Sequence, residues 1–160
     1  MIPFKILFED QDFLIAEKPA GLPSQATVDR ARPDFYTLLK AQVAARGDDY
    51  LALHHRLDRG TSGLMIFAKT PRANNPLASL FREHQILKTY HCIIQKKPKV
   101  ESWEEINYLD EVRDTTTKKM KMVRVRSGGK PAHTRFRVIE RYRGGSLIEA
   151  QPLSGRMHQI

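Results

Sequence analysis

His55-Arg56-Leu57-Asp58-Arg59-Gly60-Thr61-Ser62-Gly63-Leu64 is the most informative stretch of the chain. It places one carboxylate, Asp58, between two arginines, and it continues through a Gly-Thr-Ser-Gly turn into the apolar run Leu64–Lys69 (LMIFAK). That run is too short and too apolar for a surface helix, so it reads as a buried strand. The turn glycines let the backbone bend sharply and let another molecule approach closely. Arg56 and Arg59 surround the carboxylate with positive charge, a setting suited to an accepting or nucleophilic aspartate. The same residues also fit a hairpin whose aspartate bonds its own turn amides.

Working outward, residues 4–8 and 13–17 (FKILF and FLIAE) flank a polar run and read as a strand pair. Lys18-Pro19-Ala20-Gly21-Leu22-Pro23 is a loop, since two prolines and a glycine sustain neither ladder nor helix. Asp34 is placed to cap a helix through about Arg46, with Phe35, Leu38, Leu39 and Val43 on one face and Gly47 ending it. Leu53–Leu57 reads as a short strand or strand end. Asn75-Pro76 offers an N-cap and a first-turn proline for a second helix, with Leu77, Leu80, Phe81 and His84 on its apolar face. Thr89–Gln95 is β-rich. Residues 118–126 alternate with a slip of phase at Met122-Val123, which predicts a bulge. Phe136 and Val138 alternate with Arg135 and Arg137, giving a strand with one basic face. Leu147–Leu153 is a further strand. The pattern predicts an α+β fold, a mixed but mostly antiparallel sheet with flanking helices.

Of 160 residues, 27 are basic and 18 acidic, and the surplus is local. Residues 111–143 hold 11 basic and 3 acidic residues, whereas residues 1–50 hold 6 and 8. A polyanion suits such a segment through phosphate contacts and counterion release; the plain alternative is a solvated basic face. Cys92 is the only cysteine, which excludes an intrachain disulfide and a cysteine-held zinc. His54 and His55 are adjacent and lack companions at ligand spacing, so no metal is expected. Ser62 has no nucleophile-elbow pattern around it. Trp103 reads as a core anchor or a stacking platform. No apolar run approaches the roughly 18 residues that cross a bilayer, and no signal-peptide layout opens the chain. A soluble cytoplasmic protein is the expectation.

The string HRLDRGTSGLMIFAKT closely resembles the signature of the RluA-type pseudouridine synthases. Lys18-Pro19-Ala20-Gly21-Leu22 resembles that family's first loop motif, Lys88-Thr89-Tyr90 its Lys-x-Tyr motif, and Ser154-Gly155-Arg156-Met157-His158-Gln159-Ile160 its last motif. Ala132-His133-Thr134-Arg135-Phe136 matches a weaker element. The four motifs fall in the family's order. Two departures stand out: Pro23-Ser24-Gln25 replaces a more apolar run, and the last motif stops at Ile160, one residue before an arginine. The expectation is therefore a single catalytic domain over residues 1–160, incomplete at its C-terminal end.

The resemblance implies isomerisation of uridine to pseudouridine in structured RNA, ribosomal or transfer, a reaction that needs neither cofactor nor metal; a monomer is the default expectation. It implies Asp58 as the nucleophile, Tyr90 against the target uracil, and Arg156 paired with the carboxylate. Arg56 or Arg59 would fill the gap left by a flipped base. RNA contacts are expected from Arg56, Arg59, Lys118, Lys119, Lys121, Arg124, Arg126, Arg135 and Arg137. Two competing readings remain: an RNA-binding module of the same fold without turnover, and a hydrolase, which would need a second carboxylate such as Glu17 or Glu83.

Overall fold

The computed structural model describes residues 4–47, 49–116 and 120–160. The chain divides into two compact units, residues 1–85 and 86–160.

In the first unit, β1 (Lys5–Glu9) and β2 (Phe13–Lys18) form the expected antiparallel pair. Their connection is closed by the Asp10 carboxylate, which accepts from the Asp12 and Phe13 amides at 2.8 and 2.7 Å. β4 (Gly63–Ala68) pairs along the whole of β2, and the two-residue β3 (Ala52–Leu53) pairs with its far edge, giving the order β1-β2-β4-β3. Directly paired residues share a face of a sheet. Leu14, Ala16, Met65 and Phe67 occupy one face and are fully buried, while Leu64 on the other is 60% exposed. β4 is thus fully buried at Met65 and Phe67, while its other face runs from exposed Leu64 through half-buried Ile66 to fully buried Ala68. Asp34 caps α1 (Phe35–Ala44) by accepting from the Thr37 amide at 3.0 Å, and Phe35, Leu39 and Val43 face the core, with the Phe35 ring 6.0 Å from that of Phe67.

The second helix starts earlier than expected. α2 runs Pro71–Arg82, capped by Thr70, with Pro76 inside it. Thr70-Pro71 has the same cap-and-proline chemistry as Asn75-Pro76, and Thr70 is additionally fixed by its 2.8 Å bond to Asp12. Ala73 and Leu77 are the buried residues of α2, whereas Leu80 is partly exposed and His84 lies past the helix end at φ +55°.

The second unit is a five-stranded antiparallel sheet in the order β5-β9-β8-β6-β7: β5 (Tyr90–Ile94), β6 (Ser102–Arg113), β7 (Met120–Val125), β8 (Lys130–Tyr142) and β9 (Gly145–Pro152). β6 has no counterpart in the sequence reading. Its faces are mixed, Glu105 and Asn107 sharing a row with Trp103, and Ile106 and Tyr108 sharing the other with Glu104, so polarity does not alternate with the pleat. The bulge expected at Met122-Val123 is absent, since β7 pairs without a break from Met120 to Val125; the two residues are half-buried on opposite faces. Register shifts occur instead at Ile6/Phe8 and Val138/Glu140. Every ladder among the described residues is antiparallel and both helices belong to the first unit, an α+β architecture.

Removing the cap of α1 should be felt globally, because Asp34 is 4% exposed and the preceding loop is tied to the first turn by the Pro23 and Ser24 carbonyls. Asp34→Ala is expected to lower unfolding free energy by about 1 kcal/mol in urea titration.

Candidate functional site

Asp58 lies in the irregular segment between β3 and β4 and is half-buried. No ladder fixes this segment, so side chains and isolated backbone bonds do. The Ser24 hydroxyl donates to the Leu57 carbonyl at 2.6 Å and accepts from the Leu57 amide at 3.0 Å. The Gly21 amide donates to the Arg59 carbonyl at 2.7 Å, and Arg59 Nε donates back to the Gly21 carbonyl at 2.9 Å. The Thr61 amide closes a turn on the Asp58 carbonyl at 3.0 Å. Upstream, His54 Nε2 meets Asn74 Oδ1 at 2.8 Å, and His55 Nε2 accepts from the Ile66 amide at 3.0 Å while its ring stacks on Phe81. Both imidazoles therefore anchor the loop to α2 and β4. Gly63 sits at φ +139°, a conformation strained for any residue with a Cβ.

Lys18 is the residue that sequence reasoning passed over. It continues the inward row of Leu14 and Ala16, stands opposite Gly63 in the ladder, and is fully buried. Its Nζ donates to the carbonyls of Leu22 at 2.7 Å and Pro19 at 3.0 Å, with that of Arg59 at 3.5 Å. Burial pushes its pKa down and the negative charge of Asp58 pushes it back up. A fixed ammonium thus acts electrostatically on the Asp58 carboxylate. The available signal was the strand's period of two, which puts position 18 on the core face.

Tyr90 and Arg156 belong to the second unit. Tyr90 opens β5 opposite Ala150 and is half-buried. Lys88 Nζ lies 3.4 Å from the Ser154 carbonyl, and burial lowers its pKa. Arg156 stands in the irregular segment after β9, where its Nε donates to the Pro131 carbonyl at 3.0 Å.

Among the described residues of the second sheet, the expected RNA-contacting cations do not share one face. Lys118 and Lys119 lie outside the described residues. Arg56 is exposed and makes no hydrogen bond or ion pair with a described residue, whereas Arg59 bonds Gly21. Ladder register puts Lys121, Arg135 and Arg137 on one face of the second sheet and Arg124 on the other, with Arg126 just past the end of β7. Arg135 pairs with Glu104 at 2.8 Å and Arg137 with Glu149 at 3.0 Å. Hydrogen bonds from His133 and Arg135 hold the Glu104 carboxyl below its usual range. The segment's charge count could not register these partners, because both glutamates lie outside residues 111–143. Trp103 stacks on Phe136, with centroids 5.1 Å apart, on the core side of the sheet.

Residues 12–160 match the family described as RNA pseudouridylate synthase. The chain is similar to ribosomal large subunit pseudouridine synthase C of Vibrio parahaemolyticus, 32% identical over 155 residues that cover 97% of this chain and 47% of that protein. It is also 32% identical, over 165 residues, to ribosomal large subunit pseudouridine synthase D of Zymomonas mobilis, covering 99% of this chain and 51% of the relative. The chain spans about half the length of these curated relatives. Among solved structures, human RNA Pseudouridylate Synthase Domain Containing 4 superposes with a TM-score of 0.75 at 26% identity, over 96% of this chain and 60% of that one.

Ser24→Ala should leave the Leu57 amide and carbonyl, both in a buried setting, without their partner. The expected loss is about 1–3 kcal/mol of unfolding free energy, measured by denaturant titration.

Proposed function

The chain belongs to the RNA pseudouridylate synthase family, and we propose that it isomerises uridine to pseudouridine in ribosomal or transfer RNA with Asp58 as nucleophile. The observation that supports this most is the Asp58 loop itself. The backbone on either side of a half-buried carboxylate, at Leu57 and Arg59, is held by paired backbone and side-chain bonds next to a buried ammonium, so the position of Asp58 is fixed without regular structure around it.

The reaction breaks the N1–C1′ bond of uridine, turns the freed uracil, and forms a C5–C1′ bond; the C5 proton leaves and N1 gains one. Atoms and electrons balance without an oxidant, water or cofactor. The Asp58 carboxylate serves by covalent attack or by stabilising the electron-poor fragment. Tyr90 is assigned to the face of the uracil and to the C5 proton, and Arg156 to the carboxylate as its orienting cation. Arg56, exposed and uncommitted, suits the space left when the base leaves its stack, since a guanidinium plane stacks where a base did. We assign the chain a single catalytic role as a monomer in the cytoplasm.

RNA carrying tritium at uracil C5 tests the reading. The protein should release label to water, and Asp58→Asn should release none while its RNA affinity stays within about threefold, judged against a conserved fold in circular dichroism. RNA binding without release by the parent protein would favour a binding module instead. Among the cations, Arg124→Ala should flatten the slope of log affinity against log salt by about 0.7–0.9. Arg135→Ala and Arg137→Ala should flatten it less, because each cation is already matched by a glutamate.

A further inference from the structure

Residues 153–160, after β9, have no regular structure, yet they carry Arg156, whose proposed task requires a fixed guanidinium. One side chain supplies what a ladder would. The Gln159 carboxamide uses both ends: Oε1 accepts from the Ser154 hydroxyl and from the Arg156 amide, each at 2.9 Å, while Nε2 donates to the His133 carbonyl at 3.0 Å and to the Thr134 hydroxyl at 2.9 Å. Two acceptor and two donor positions are the whole capacity of a carboxamide. The chain doubles back through His158 at φ +52°, a left-handed conformation uncommon for a residue with a side chain. The His133 carbonyl also accepts from the Leu153 amide at 2.9 Å, and the His133 amide donates to Ser154 Oγ at 3.0 Å. Arg156 Nε meanwhile rests on the Pro131 carbonyl. Backbone and guanidinium of Arg156 are therefore both referred to the same four residues of β8, 131–134, the first through Gln159 and the second directly.

We propose that Gln159 is a positioning residue of the isomerisation: its carboxamide is a two-ended latch that fixes the Arg156 backbone to β8 and so sets where the guanidinium can reach. The inference rests on the reading of Arg156 given above. It also explains the residue type. A glutamate in the same place would turn a carboxylate oxygen towards the His133 carbonyl, two acceptors with no proton between them, and that repulsion would push the side chain off both ends of the latch. Methionine would keep the volume and lose all four bonds.

Hydrogen exchange and kinetics together test it on the full chain. In Gln159→Glu and Gln159→Met the Arg156 amide should exchange roughly tenfold faster or more than in the parent, while the paired amides of β8 and β9 keep their protection. With tritium-labelled RNA, both variants should lose about 100-fold in kcat with little change in KM, the cost of a misplaced group. If Gln159 acts through Arg156, Gln159→Met added to Arg156→Lys should cost little more than Arg156→Lys alone. Unchanged exchange at Arg156, full kcat in Gln159→Glu, or losses that multiply in the double variant would each overturn the proposal. A parent chain that releases no label would overturn the reaction reading and Gln159's part in it, while the exchange rates still decide whether the latch exists.

Discussion

A lysine ammonium buried at the end of β2 is the constraint around which the first unit is arranged. Taking an ammonium out of water without partners costs on the order of several kcal/mol, so Lys18 can lie on the core face only if carbonyl oxygens surround it. Those oxygens come from Pro19, Leu22 and Arg59. Residues 19–22 must therefore curl back over the strand they have just left, and the segment after Asp58 must come to the same point. Once it does, Gly21 and Arg59 exchange two hydrogen bonds and Ser24 grips Leu57 from both sides. The position of Asp58 is a by-product of satisfying a buried cation.

The second unit solves a similar problem with a neutral group. Its irregular terminal segment cannot join the sheet, and the Gln159 carboxamide, matched at all four of its hydrogen-bonding positions, stands in for the missing ladder. Ser24 and Gln159 share one physical property. Each can donate and accept at once, so each can hold a backbone strand of irregular structure without leaving an orphaned polar atom. Hydrophobic packing cannot do this, because it fixes volume and not direction.

Charge follows the same logic of location. The excess of lysine and arginine in residues 111–143 is real as composition, yet the pleat sends neighbouring residues to opposite faces and the ladder brings Glu104 and Glu149 beside Arg135 and Arg137. Such exposed pairs contribute little to stability. Their effect is to match within the sheet two of the cations that the composition counts as surplus.

Local pattern was enough for what is local. The β1–β2 pair, the Asp34-capped helix, the strand after Gly63, the strands at β5, β8 and β9 and the α+β class were all legible, because period, caps and glycines act over a few residues; the run Leu53–Leu57, read as a strand or strand end, keeps only Leu53 in β3, and the residues leading to Asp58 are irregular. β6 was not, since its two faces are equally mixed and it is a strand only by virtue of β7 and β8 on either side. The start of α2 was misread because Thr70-Pro71 and Asn75-Pro76 are equivalent in isolation, and Asp12, far away in sequence, bonds the former. Lys18 and Gln159 appeared within recognisable motifs, but their bonding did not, because Lys18 meets Arg59 across 41 positions and Gln159 meets His133 across 26. Sequence by itself determined the family motifs and the short segments that hold them. Tertiary structure alone decided what grips those segments, because a hydrogen bond is set by separation in space and the chain fixes that separation only after it has folded.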